Sequence, residues 1–310
     1  MTSAPPSLEQ SASLTRTVSL LSIVTALTLV ILKLAIWRVS GSVALMASMA
    51  DSGLDLIASC ATFFAIRYAA APPDKEHRFG HGKAEAFASL VQAGLVFASA
   101  ALVGQEALHH LVHPTAVSHE TWALLVMGLS ILLTGGLIVA QTWLLRRARS
   151  VAVSADRTHY AADLASNIIA LAGVAAATAL GIPALDALAA LLVTALLLWG
   201  AISVFRGASG ELLDHELPDA ERAKIIELAL QDPAVRDIHQ LRTRASGPVT
   251  HMQMHAGLDP EVSLVAAHRI VVAAEKRILS AFPTADIIIH PDPRGRAEPH
   301  GGAFAEVHEE

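Results

Sequence analysis

The sequence predicts a membrane-embedded bundle of six helices followed by a small cytoplasmic α+β domain. Three observations carry that reading. Hydrophobic residues make up 53% of the 310 positions and mean hydropathy is +0.50, too apolar a balance for a soluble globule of this size. Six apolar runs are each long enough to cross roughly 30 Å of hydrocarbon as a helix. After Phe205 the pattern changes to amphipathic and alternating segments about 80 residues in total, which is the size of one small soluble domain.

Taken in order, residues 1–14 are polar and rich in Ser and Pro, expected as a tail, and no small-residue cleavage pattern follows them. The apolar runs lie at about 17–37, 42–68, 84–111, 122–145, 154–180 and 185–205, giving a membrane domain over 15–208. Arg67, Lys75, Arg78 and Lys83 follow the second run, and Arg146, Arg147, Arg149 and Arg157 surround the gap after the fourth. Opposite loops offer little beyond Arg38, so the positive-inside rule places both termini in the cytoplasm. The remaining 209–293 read as αββαβ, a metallochaperone-like order: a helix over 218–230, strands over 237–245 and 249–257 joined through Ser246-Gly247-Pro248, a helix over 261–282 and a strand over 286–290. Residues 294–310, dense in Gly, Pro and charge, are expected to be disordered.

The second run carries Asp51 and Asp55, four residues apart and so on one helix face. Each charge near a helix centre costs about 2.5–3.5 kcal/mol on insertion scales, and two close carboxylates repel unless a proton or cation lies between them. His159 and Asp163 repeat the spacing in the fifth run. Three carboxylates and one imidazole form a four-donor set for Zn²⁺, with Fe²⁺, Cd²⁺ and Mn²⁺ admissible in the same shell. The competing reading satisfies each pair locally through Ser48, Ser52, Ser59 or Asn167, or places it at a lipid interface.

Two further clusters lie outside the runs. Asp74, His77 and His81 fall within eight residues, so a turn could gather them around a metal; a juxtamembrane loop that touches anionic lipid is the equal alternative. His239, His255, His268, His290 and Asp292 come from separate elements of the soluble domain and could converge at one sheet surface. Strand alternation puts His251, Gln253 and His255 on one face and Met252 and Met254, the better core candidates, on the other. Glu106, His109, His110 and His113 read as interfacial polar residues, since the His-Glu-x-x-His arrangement of a metalloprotease helix is missing. Asp186 fits a first-turn acid, and Lys33 is expected to snorkel or to pair inside the bundle. A net charge of −6 without a basic stripe argues against nucleic acid, and the single Cys60 excludes a disulfide framework or a cysteine zinc site.

Together, the two intramembrane pairs, the loop His77-Arg78-Phe79-Gly80-His81-Gly82-Lys83-Ala84-Glu85 and the αββαβ domain resemble the cation diffusion facilitators, most closely their bacterial zinc and iron efflux type. The resemblance covers about 17–293. It implies a homodimeric metal/proton antiporter of the bacterial inner membrane, not an enzyme, with divalent metal as cargo and as regulatory ion and protons as counter-ion. Residue by residue it implies a transport site at Asp51, Asp55, His159 and Asp163, and a loop site at Asp74, His77 and His81. It further implies a cytoplasmic binuclear site at His239, His255, His268, His290 and Asp292, and a salt bridge between Lys83 and Asp214. Pro291 stands where the family often has a polar side chain, a departure that bears on the bridging geometry. A membrane-bound metal sensor or scaffold that moves nothing is the alternative; four ligands at mid-membrane count against it.

Overall fold

The computed structural model describes residues 8–40, 43–112, 121–180 and 184–295. It divides into two compact units, one over Gln10–Leu212 and the other built from Leu213 onward.

The first unit consists of six long helices: α1 (Leu8–Ser40), α2 (Val43–Ala69), α3 (Ala84–Val112), α4 (Thr121–Leu145), α5 (Val151–Leu180) and α6 (Ala184–Leu212). Among the described residues, α1, α3, α4 and α6 are long and apolar enough to cross a membrane by length and composition. Helices α2 and α5 are as long, at 27 and 30 residues, and carry Asp51, Asp55, His159 and Asp163. The first helix starts at Leu8, inside the stretch expected as a polar tail. Its early polar residues do not break it, because they are small hydroxyls that return their proton to the preceding turn: Thr15 Oγ1 donates to the Ser11 carbonyl at 3.0 Å. Ser11, Thr15, Ser19 and Ser22 are all buried and form one face of the helix.

Helix α3 packs chiefly on α6, α5 on α6 and α4, and α2 on α3 and α5. Close approach of α3 to α6 depends on small residues, as is usual where no hydrophobic force separates helix from lipid. A Cβ added at Gly104 would come within 2.9 Å of the Thr194 side chain, and Ala100 and Ala201 sit in the same buried cluster. Helix α1 joins through Val18, packed with Ile66, Leu144, Ala152 and Val153.

The second unit is α7 (Asp219–Ala229), β1 (Asp237–Ser246), β2 (Val249–Leu258), α8 (Leu264–Ala281) and β3 (Ala285–Pro293). Its sheet runs β1-β2-β3, with β1 antiparallel and β3 parallel to the central strand. Gly247, at φ 58°, makes the tight β1–β2 turn that a side chain would strain. Met252 and Met254 are 0% and 1% exposed, in a core with Ile225, Leu228, Val271 and Ile278, so the strand parity read from sequence holds. Two boundaries differ from the expected ones by three residues. Helix α8 begins at Leu264, three residues late, because Ser263 caps it by accepting from the Ala266 amide at 3.3 Å. Strand β3 runs past His290 to Pro293, since β2 still offers Gly257 and Leu258 as partners for Asp292 and Pro293. At the sheet edge a proline is tolerated, so Pro291 does not end the strand.

Candidate metal centres

One face of α2 and one face of α5 meet at three donors. His159 Nε2 lies 3.0 Å from Asp55 Oδ1 and 3.5 Å from Asp163 Oδ2. The ligand atoms of all three fall within 4.8 Å of one another, the spread a single ion can bridge. All three side chains are largely withdrawn, at 14–29% exposed. Asp51 lies on α2 one turn earlier, with its side chain outside the described residues.

Beside this group sits a polar cluster that the sequence reading did not single out. Asp156 is 1% exposed. It accepts from Ser22 Oγ of α1 at 2.7 Å, from Gln141 Nε2 of α4 at 2.7 Å and from Gln92 Nε2 of α3 at 3.5 Å. Four helices are thus tied to one carboxylate, three residues before His159. The signal was present: a second acid beside Asp163 in the fifth apolar run, with glutamines in the third and fourth. Tyr160, also 1% exposed, shares a 2.9 Å hydrogen bond with Ser59 of α2, a further tie between the ligand-bearing helices. Lys33 pairs inside the bundle as expected, donating to Ser52 Oγ of α2 at 2.6 Å.

In the loop between α2 and α3, Asp74 Oδ1 accepts from the Glu76 and His77 amides at 2.9 and 2.6 Å, an Asx turn that folds the chain back. The turn brings His77 Nδ1 and His81 Nε2 to 3.3 and 3.4 Å from the Asp74 carboxylate, so the three donors converge. His81 Nδ1 faces the Ala71 carbonyl at 3.4 Å, which assigns the ring proton there and leaves Nε2 toward Asp74. The His77 amide, with that of Glu76 and the nearby imidazoles, holds the Asp74 carboxyl below the usual carboxylate range.

The third group spans the sheet at its C-terminal end. His255 Nδ1 is 2.8 Å and His239 Nε2 3.2 Å from Asp292 Oδ2, and His290 Nε2 is 3.2 Å from Oδ1. His239 turns its Nδ1 to Asp237 Oδ1 at 2.9 Å, the carboxylate-to-histidine contact that orients a ligating ring. Asp292 is 10% exposed. Burial alone would raise its carboxyl, but the hydrogen bond and charge of His255, with His290 and His239, leave it below the ordinary value. His268 is not brought into this group: it stands exposed on α8, next to Ala267 on the buried face.

Lys83 Nζ donates to the Leu212 carbonyl at 3.2 Å within the helical unit. Asp214 accepts from Arg244 Nη1 at 3.1 Å within the other unit. Glu106 and His109 are exposed on α3. His113 and the side chains of His110 and Asp186 lie outside the described residues.

A bundle of long apolar helices with acids and an imidazole gathered at its middle, followed by a histidine-bearing α+β unit, defines a metal-handling membrane protein. Two family models match it: the cation efflux transmembrane domain over 19–213 and the cation efflux protein cytoplasmic domain over 217–294. The chain belongs to the cation efflux family. Among similar proteins, the cation-efflux pump FieF of Cronobacter sakazakii is 38% identical over 265 residues, covering 86% of this chain and 88% of that protein. The FieF of Pectobacterium carotovorum subsp. carotovorum is 39% identical over 268 residues, covering 86% and 89%. The solved structure MamM-CTD 215-293 is 27% identical, covers 24% of this chain and 98% of that one, and superposes with a TM-score of 0.24.

Proposed function

We propose that this chain is a homodimeric antiporter that exports a divalent metal ion, Zn²⁺ before Fe²⁺, Cd²⁺ or Mn²⁺, in exchange for protons. The observation that supports it most is the convergence of Asp55, His159 and Asp163 between α2 and α5, with Asp51 the fourth donor. One nitrogen among carboxylates favours Zn²⁺ or Cd²⁺ over harder ions. To bind cargo, His159 must be neutral at Nε2 and the carboxylates ionised, so proton and metal compete for the same atoms. Protonation from the outer side therefore helps to expel the ion. Four protein donors close the shell and leave no open position for hydrolysis, in keeping with transport rather than catalysis.

The basic loops after α2 and α4 support both termini lying in the cytoplasm, with the helical unit in a bacterial inner membrane. Asp74, His77 and His81 then form a loop site on the cytoplasmic side. In the soluble unit the donors fit a regulatory ion: His239, His255 and Asp292 share a 4.8 Å space, with His290 on the same carboxylate. A bound cation there supplies positive charge that neutralises Asp292 and draws three strands together. His268, exposed on α8, is available to a second ion or to the other protomer.

The decisive experiment is flux of each divalent ion into proteoliposomes with and without a pH gradient. Wild type is expected to move Zn²⁺ fastest and only slowly without the gradient, and Asp55→Ala to reduce flux to the liposome background. Normal flux in the variant rejects the proposal.

A further inference from the structure

A helix leaves its first amides without partners of its own, and the residue just before it commonly accepts from one of them. For α5 that residue is Ser150: the Val153 amide donates to its Oγ at 3.2 Å. The hydroxyl proton of Ser150 goes to another helix, donated to Oε2 of Glu85 at 2.6 Å. The same oxygen accepts from the Ala152 amide at 3.4 Å. One carboxylate oxygen of α3 therefore holds both the capping side chain of α5 and an amide of its first turn. All three residues are withdrawn from solvent, Glu85 and Ser150 at 3% exposed and Ala152 at 1%.

A first-turn acid ordinarily serves the dipole of its own helix. Glu85 stands in the first turn of α3, yet its side chain is buried and turned to α5. The same face of α3 meets α5 again two turns on, where Gln92 donates Nε2 to Asp156 Oδ1 at 3.5 Å. Helix α5 is thus held to α3 at its start and at Asp156, three residues before His159. His159 and Asp163 lie about two and three turns beyond Ala152 on that helix. A slide or rotation of the start of α5 therefore moves both side chains relative to Asp55 of α2.

We propose that Glu85 is a positioning residue for His159 and Asp163: by capping α5 from α3 it fixes the height and rotation of that helix, and with them where the two side chains stand relative to Asp55. The inference rests on reading the α2/α5 group as the cargo site. Because those side chains lie two turns or more beyond the cap, Glu85 acts through the helix and not on the ion. The position calls for an acceptor oxygen, since the Ser150 hydroxyl and the Ala152 amide both donate to it.

The test uses the full-length protein carrying His77→Ala and His255→Ala, so that binding is read at the α2/α5 group. Zn²⁺ titration gives affinity, and Co²⁺ in its place gives visible ligand-field bands that report the coordination geometry. Glu85→Ala is expected to weaken Zn²⁺ binding by about tenfold and to alter the Co²⁺ bands. Glu85→Gln, which keeps an acceptor oxygen at the same reach, is expected to hold affinity within a few-fold with the bands unchanged. Glu85→Asp, one methylene shorter, is expected to move both readouts in the direction of alanine, so the test stands even if the alanine variant does not fold. Adding Ser150→Ala to Glu85→Ala is expected to weaken binding no further than the worse single variant, because the two substitutions break one link. A lowered melting temperature with wild-type affinity and bands would make Glu85 a structural cap alone and overturns the proposal. Additive losses overturn it too, as does a glutamine variant that behaves like alanine. If His159→Ala in the same background leaves Zn²⁺ binding intact, the cargo-site reading itself has failed, an outcome distinct from the others.

Discussion

His159 Nε2 and Asp55 Oδ1 stand 3.0 Å apart although 104 residues separate them in the chain. Each is a costly residue for a membrane helix, and the contact offsets part of both costs across two helices. The contact makes α2 and α5 interdependent: separating them strips Asp55 of its imidazole and leaves His159 with the acid of its own helix, Asp163. A site that needs both helices closed to bind, and is disrupted when they part, is what alternating exposure to two sides of a membrane requires.

Among Asp55, His159 and Asp163 the imidazole is the only nitrogen donor. Replacing it with another carboxylate, His159→Asp, hardens the shell. Relative transport of Mn²⁺ over Zn²⁺ is therefore expected to rise by about tenfold or more. Competitive flux of the two ions into proteoliposomes measures the ratio, and an unchanged ratio means that His159 does not select the ion.

The Asp156 cluster carries a stability consequence. Asp156→Ala removes the shared acceptor of Ser22 and Gln141 and leaves the hydroxyl only the Val18 carbonyl at 3.3 Å and the amide only Ser22 Oγ at 3.2 Å, at up to about 1–3 kcal/mol for each weakened donor. The expected result is a clear fall in melting temperature of the detergent-solubilised protein followed by tryptophan fluorescence. Leu125→Ala, on an exposed α4 position, is expected to change it little.

Much of this was legible in the sequence, and the part that was not has an identifiable cause. The His159/Asp163 pair in α5 and the His/Asp cluster of the loop are local spacings, so helix and turn geometry alone bring their members together. Met252 and Met254 followed from strand parity. Asp156 was different. Its partners Ser22, Gln92 and Gln141 come from three other helices, and no spacing within one helix announces a convergence across four. The sixth helix runs on to Leu212, beyond the apolar run ending near 205, where Arg206 and the buried Glu211 lower the hydropathy without ending the helix. His268 was grouped with the other soluble-domain histidines by composition, and only the register of α8 shows it on the exposed face.

In the soluble unit, the Asp292 group predicts a metal-dependent stability. Any ligand that binds only the folded form adds stability, about 2.7 kcal/mol at one hundred times its dissociation constant. Zn²⁺ is expected to raise the melting temperature of this protein's soluble-unit transition in scanning calorimetry, and EDTA to reverse the gain. His239→Ala with His255→Ala removes two of the three donors and is expected to abolish the shift while leaving Zn²⁺ binding at Asp55 and His159 measurable. A shift of undiminished size in the double variant would assign the effect elsewhere.

The same carboxylate sets an acid limit. Asp292 titrates below its ordinary value of 3.8; burial opposes this, and the hydrogen bond and charge of His255, then His290 and His239, prevail. A carboxyl whose folded value lies below its unfolded one binds fewer protons when folded. Its stabilising contribution is therefore complete above the ordinary value and is lost as pH falls through the lowered one. Metal-free protein is expected to melt at progressively lower temperature below about pH 4, and Asp292→Asn, which cannot titrate, to flatten that part of the profile. Thermal melts across the acid range compare the two. Parallel profiles would mean that the histidines do not hold Asp292 in its ionised form and that the acid sensitivity comes from other carboxylates.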